Sequence, residues 1–320
     1  MLHPYSIAKN GNELIELFKR TIQSIKTGHG SVKFDGVNTS VRFNGHEFVI
    51  DRCTAKSIDI KGVTTNDLPE RFGMGHGLIP ICTEVLKFFN SSLNICREEY
   101  NNLGLLSNNN LLLNIDYINN KLNIINYNAK MIVIHDIKEV FIKKYKKDGI
   151  TPLSRGTTII DYNQNTLNRL VEKLNSVDNN IKVLGRVPVK LTRNIDIDNI
   201  LRHTALILYP YGYAVKKTLY EWLQDVYNAE MKITKSQFKQ ILSSKNISND
   251  FDNVQSVIND TIMIITTIVL GKRIKFLATS DVGDLIDHEG IVIRDESIID
   301  VPYKITGTFI LTGMNSPFAK

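Results

Sequence analysis

Leu14, Leu17, Phe18, Ile22 and Ile25 recur at intervals of three and four, with Lys19, Arg20 and Lys26 between them. That spacing predicts an amphipathic helix over 12–27, ended by Gly28-His29-Gly30. Two short β-like runs follow, Ser40–Phe43 and His46–Ile50, joined by Asn44-Gly45. Asn-Gly between such runs is the strongest short hairpin signal. The stretch Ser31-Val32-Lys33-Phe34-Asp35-Gly36 leads straight into that hairpin. Residues 57–77 read as loop. Within them Gly73-Met74-Gly75-His76-Gly77 lacks the Lys-Ser/Thr ending of a phosphate loop, so a loop or hinge is expected there. A helix is expected over Leu78–Asn90. Leu111–Ile118 and Lys121–Ile125 read as a strand pair turned at Asn119-Asn120. Met131–Ile137 is nearly all apolar and reads as a strand in the middle of a sheet.

The pattern then changes. Residues 165–174, 218–231, 234–242 and 253–270 carry helical spacing, with short β-like pieces at 182–190 and 205–209. From Gly290–Arg294 and Thr306–Leu311 the strand signal returns. The expected organisation is an α+β core formed by 1–155 and 286–320, interrupted by a mostly helical insertion over 156–285. The most apolar window, Ile262–Leu270, follows Asp260 and contains Thr266 and Thr267. It is far short of the roughly 20 apolar residues that a membrane span requires, and a buried helix accounts for it.

Composition adds less. Hydrophobic residues make up 42% and charged residues 22%, enough for a packed core and against gross disorder. The net charge of +6 leans toward an anionic partner, although a solvated basic surface fits it equally. Three cysteines, Cys53, Cys82 and Cys96, are too widely spaced for a zinc pattern and too few for a disulfide framework, which suits a reducing cytosol. No signal peptide is expected from the first residues.

Lys33 is the candidate nucleophile. An amine attacks only after losing its proton, which burial or a nearby cation favours. Val32, Phe34 and Val37 supply apolar surroundings, and Lys304 is a cation that a neighbouring last strand can bring close. Asp116 and Glu289 are carboxylates at strand positions, suited to Mg²⁺ or ribose hydroxyls. Lys56 and Lys304 suit phosphates. Taken singly, each residue also has a plainer role: Lys33 beside a turn, Asp116 opening a turn, Arg52 a surface charge, His135 a hydrogen-bonded core histidine.

In order along the chain, the segments Lys33-Phe34-Asp35-Gly36, Asn114-Ile115-Asp116-Tyr117-Ile118, Val133-Ile134-His135-Asp136-Ile137, Glu289-Gly290-Ile291-Val292-Ile293 and Tyr303-Lys304-Ile305-Thr306-Gly307 resemble the motifs of the covalent nucleotidyltransferase superfamily. That superfamily comprises the ATP-dependent DNA and RNA ligases and the mRNA capping enzymes. Lys33-x-x-Gly36-x-Asn38-x-Ser40 and Thr54-Ala55-Lys56 are most similar to phage RNA ligases that seal nicks. The Tyr-Lys-Ile-Thr-Gly-x-Phe ending is similar to uncharacterised phage relatives.

The resemblance implies a ligase-type nucleotidyltransferase fold, with ATP-grasp-like antiparallel sheets, flanking helices and the helical insertion. It implies ATP and Mg²⁺ as cofactors and nucleic-acid ends, with RNA favoured over DNA, as the partner. Lys33 would carry AMP, and Asp35 and Gly36 would shape its loop. Asn38 and Arg52 would touch phosphate or sugar, and Asp116 ribose or metal. His135 would stack on adenine, Glu289 would assist the metal, and Lys304 would hold the α-phosphate. The basic residues of the insertion, Lys216, Lys217, Lys232, Lys235, Lys239, Lys272, Arg273 and Lys275, would meet backbone phosphates. The chain departs from the family in having Asp at 116 where Glu is usual and Thr306 where a second lysine often stands. No C-terminal oligonucleotide-binding barrel is expected after the last motif, so the helical insertion or a partner protein would hold a duplex. A nucleotide-binding protein without catalysis, or a capping-type guanylyltransferase, are the alternatives. The expected location is the cytoplasm, that of the host if the source is viral.

Overall fold

The computed structural model describes residues 1–51, 62–120, 123–150, 152–193, 196 and 254–307. In chain order these form helix α1 (Pro4–Ile7), α2 (Gly11–Lys26), strands β1 (Gly30–Lys33), β2 (Val37–Phe43) and β3 (Phe48–Ile50), then α3 (Leu68–Phe72), α4 (Leu78–Ser92) and α5 (Arg97–Asn102). Next come β4 (Leu111–Ile118), β5 (Lys130–Tyr145), β6 (Pro152–Ile159), α6 (Gln164–Leu174), β7 (Ile181–Leu184) and β8 (Val189–Leu191). After the segment outside the described residues follow α7 (Val254–Leu277), β9 (Ala278–Ser280), β10 (Gly283–Asp284), β11 (Gly290–Ile293) and β12 (Tyr303–Ile305). The protein is thus a mixed α and β chain built on antiparallel sheets, none of which closes into a barrel among the described residues. No described helix is long and apolar enough to cross a membrane.

The chain divides into two compact units. The first comprises Met1–Asp35 and Val187–Lys320. Its main sheet has the order β1-β11-β12, all antiparallel, and a second sheet has the order β10-β9-β8. Helix α2 starts where Asn10 accepts a hydrogen bond from the Glu13 amide while Glu13 reaches back to the amide of Lys9. This reciprocal capping satisfies amides that the first turn leaves without partners. The apolar stripe read from the sequence, Leu14, Leu17, Phe18, Ile22 and Ile25, is buried, and α2 packs on β1 and β11. On the same buried face, Thr21 Oγ1 and the Tyr303 hydroxyl are 2.7 Å apart, which ties α2 to β12.

The second unit, Gly36–Arg186, carries a sheet of order β3-β2-β4-β5-β6, with β7 added parallel to the start of β5. Val41, Leu113, Ile115, Tyr117, Ile132, Ile134 and Ile137 line one face and join Val85, Leu86, Phe89, Leu167 and Leu170 of α4 and α6 in one core. The opposite face bears Asn38, Ser40, Asn114 and Asp116, as the period of two requires. Cys82 and Cys96 are buried free thiols.

Several expectations need correction. The hairpin exists, but Asn44-Gly45 is not its whole turn. The strands end at Phe43 and resume at Phe48, leaving a four-residue loop in which the Asn44 side chain accepts from the amides of His46 and Glu47. Residues 123–125 are not strand. The partner of β4 is β5, which begins at Lys130 and pairs in register Ile118 with Met131. β5 does not stop at Ile137 but runs on to Tyr145 and pairs with β6, which the sequence reading missed. The last described strand is Tyr303–Ile305, which Thr306 and Gly307 do not join, and the rest of the strand expected over 306–311 lies outside the described residues. Of the segment expected to be mostly helical, residues 156–159 instead end β6, while the helix expected over 165–174 is α6 and the β-like pieces at 182–190 fall on β7 and β8. The expected helices at 218–231 and 234–242 and the strand at 205–209 lie outside the described residues.

Candidate functional site

In the first unit, β1 ends on Lys33, opposite Gly290, and β12 lies on the other side of β11 with Lys304 opposite Val292. Glu289 immediately precedes β11, so the three strands deliver two lysines to one carboxylate. Lys33 Nζ is 3.0 Å from Glu289 Oε2, and Lys304 Nζ is 3.0 Å from Oε1. Lys33 Nζ also donates to the Phe34 carbonyl at 2.7 Å. Lys33 and Glu289 are buried, while Lys304 keeps about a quarter of its side chain exposed. Burial pushes the Glu289 carboxyl up, but Lys33 and Lys304 together outweigh it and hold the group below the ordinary glutamate range.

Three groups that the sequence reading did not place complete the cluster. Lys275, expected to meet backbone phosphates, donates to the carbonyls of His288 at 2.7 Å and Glu289 at 3.1 Å. Burial pushes its ammonium down to about 8. His288, lowered by burial and then by Lys275, meets Phe34 edge-on at 5.2 Å between ring centroids. His3 enters because Leu2 bridges to Tyr303 and accepts from the Lys304 amide at 2.9 Å. Burial first and Lys304 second push His3 down to about 3, so its ring is neutral at ordinary pH. The buried hydroxyl of Thr306 and His3 Nδ1 have no hydrogen-bond partner among the described residues. The helix expected over 253–270 stops short of Lys275, whereas α7 runs on to Leu277 and carries that lysine to the entrance of β11. His3 belongs to no pattern in the sequence.

Gly290 is the glycine this arrangement cannot lose. A Cβ there would meet the carbonyl oxygen of Ile305, with Thr306 Cα at 2.8 Å and Ile305 C at 2.9 Å, all backbone. Gly290→Ala is therefore expected to part β11 from β12 and to cost about 3 kcal/mol, the upper range for overpacking, read as a lower denaturation midpoint.

In the second unit a different set converges. Asn38 of β2 stands opposite Asp116 of β4, and its amide donates to Asp116 Oδ1 at 2.9 Å. The β4–β5 register pairs Asn114 with Asp136 but Ile115 with Ile134, so β5 carries one extra residue, His135. Such a bulge redirects a side chain. Here it coincides with His135 Nε2 lying 2.9 Å from Asp116 Oδ2. Arg186 donates to the His135 carbonyl and lies 3.5 Å from Asp136 Oδ2. Beside them Asp51 is held by Arg42 at 3.1 Å and, through both oxygens, by Arg155. The sequence reading missed Arg42, Asp51, Asp136, Arg155 and Arg186. Apart from the pair of Arg42 with Asp51 across the hairpin, their partners are far away in the chain, and only strand pairing makes them neighbours.

Of the remaining candidates, Asp35 closes the first unit and Gly36 opens the second. A Cβ at Gly36 would meet Ile118 Cγ1 at 2.9 Å and the Tyr117 carbonyl at 3.1 Å, so the strand packs too closely there for a side chain. Arg52 and Lys56 lie outside the described residues. Glu289 and Asp116, the carboxylates suggested for Mg²⁺, each have both oxygens engaged, by Lys33 and Lys304 and by Asn38 and His135. Among the described residues no group of three or more His, Cys, Asp and Glu side chains is arranged to hold a metal ion. A carboxylate clasped between two ammonium groups does not fit a resident divalent ion. It fits an anion that replaces the carboxylate on those lysines.

Comparison of the chain with protein-family models, with curated proteins and with solved structures finds no match in any of the three.

Proposed function

We propose that this chain is a covalent nucleotidyltransferase with a ligase-type core. In that reading it is an ATP-dependent polynucleotide ligase that carries AMP on Lys33 and joins 5′-phosphate to 3′-hydroxyl ends, with RNA favoured over DNA. The observation that carries the reading is the meeting of Lys33 and Lys304 on Glu289 across three adjacent strands. Residues from the start and the end of the chain, which the motif order singled out, share one buried cluster.

The chemistry follows from that placement. Lys33 must lose a proton before it attacks, and Glu289 Oε2, 3.0 Å away, is positioned to take it. The Nζ–P bond forms at the α-phosphorus as the bond to pyrophosphate breaks, and the electron pair leaves with pyrophosphate. Released from Glu289, the Lys304 ammonium is free to turn to the phosphate oxygens, where developing charge needs it. AMP then passes to a 5′-phosphate, and attack by a 3′-hydroxyl releases it. No step is routed through a metal held by these side chains.

A second reading is favoured by Thr306, whose buried hydroxyl stands where a second lysine is usual. With one lysine fewer on the last strand, the chain would bind a nucleotide without transferring it. The test is incubation with α-labelled ATP or GTP in Mg²⁺ buffer, followed by a denaturing gel. Label from ATP on the wild-type chain is the expected result. No label from either nucleotide would leave only the binding reading, and label from GTP alone would point to capping chemistry.

A further inference from the structure

Beyond Val140, strands β5 and β6 continue as a two-stranded ribbon, and every residue from Phe141 to Ile150 is exposed. The ribbon does not resemble an ordinary solvated hairpin. Phe141 is 44% exposed and Tyr145 51%. Around them stand Lys143, Lys144, Lys146 and Lys147, against one carboxylate at Asp148.

Phe141 faces Gly156 across the pair. A Cβ at Gly156 would meet Phe141 Cζ at 2.6 Å and would also collide with Lys143 Cε. Glycine at this position therefore lets the Phe141 ring and the Lys143 stem lie across the partner strand instead of standing off the sheet. Irregular pairing after Ile142 and again at Lys144 interrupts the ladder where the lysines begin. Such irregularities twist a ribbon and discourage pairing of its edge with another sheet.

The geometry points to this ribbon as a binding site for single-stranded nucleic acid, with an unstacked base on Phe141 and backbone phosphates on the four lysines. An aromatic ring laid along a strand with an ammonium beside it suits a base and its phosphate. A membrane-binding edge would instead present side chains projecting outward to insert. The inference rests on the reading that the chain acts on nucleic-acid ends, and it assigns the strand-holding surface to residues outside the Lys33 cluster.

The test is fluorescence anisotropy of a labelled oligouridylate of about 15 nucleotides, the upper span of one single-strand site, titrated with the full chain at several salt concentrations. Phe141→Ala is expected to weaken binding about tenfold, within the range for one lost stacking contact, while Phe141→Trp retains it. Lys146→Gln with Lys147→Gln is expected to flatten the slope of log affinity against log salt by about 1.4, near 0.7 for each phosphate contact. Labelling of Lys33 should be unchanged in all of these variants. If the wild-type chain labels but does not bind the oligonucleotide, or binds it regardless of Phe141 and the lysines, the ribbon assignment is overturned. So it is if anionic lipid vesicles alone are bound, or if the ribbon variants only dissociate a dimer. Loss of the labelling reaction with ribbon-dependent binding intact would instead overturn the ligase reading and leave this one standing.

Discussion

Lys33→Ala is expected to abolish covalent labelling from α-labelled ATP, and Lys33→Arg is expected to do the same. Alanine removes the nucleophile. Arginine keeps the positive charge and the partnership with Glu289, but a guanidinium does not deprotonate in proteins and cannot attack phosphorus. The pair of variants separates a chemical role from a structural one. Lys33 sits in an ion pair with Glu289 and donates to the Phe34 carbonyl, so alanine also removes two contacts that hold the end of β1. Arginine preserves the cation while removing the chemistry. Label that survives in either variant, read on a denaturing gel, would sink the assignment of Lys33. Lys304→Ala leaves the amine in place, and it is expected to slow labelling by about a hundredfold, the scale of one lost electrostatic contact in a transition state.

Glu289→Ala carries an expected loss of stability as large as that of Gly290→Ala. It leaves two ammonium groups facing one another without the carboxylate between them, and removing one partner of a buried pair costs about 3–5 kcal/mol. The lower end applies here, because Lys304 is a quarter exposed and can turn to water. Glu289→Gln should cost less, since its amide oxygen still accepts from one lysine.

The acid behaviour follows from the same cluster. Glu289 is held below its unfolded value, so its contribution is full above the ordinary glutamate range and is lost as pH falls through the depressed folded value. His3 acts earlier in an acid titration. It is lowered from 6.5 to about 3, so the unfolded chain binds its proton first, and stability falls as pH drops from 6.5 toward 3. His3→Gln should lessen the early part of that decline, which His288 shares because burial lowers it too, and leave the part below it, which Glu289→Gln should lessen. Urea midpoints measured across that range would decide this, and superimposable curves for His3→Gln and wild type would overturn the His3 assignment.

Local pattern was enough for α2, because its face repeats every three to four residues and its caps are adjacent in sequence. It was also enough for α4, β2 and the apolar centre of β5, whose buried faces repeat within a few residues. It failed on the turn at Asn44, where the side chain satisfies two amides of a wider loop. It failed too on the partner of β4, because a nearby polar turn competed with a strand that begins at Lys130. Lys275, expected as one of the basic residues that meet backbone phosphates, is instead held by two carbonyls at the entrance to β11.

Lys33 belongs on both sides of that division. The sequence by itself determined the residue types in order: a lysine before Asp-Gly, an Asn two residues on, a Glu-Gly before a buried strand and a lysine on the last strand. Those are local facts, written in neighbouring residues and their periods. Only the tertiary structure decided that Lys33 and Lys304 share Glu289, that a bulge accompanies the meeting of His135 with Asp116, and that His3 and Lys275 stand at the cluster. Each of those depends on which strands pair and in what register. Pairing is selected by burying one whole face of a sheet, a free energy summed over many residues and not visible at any one of them.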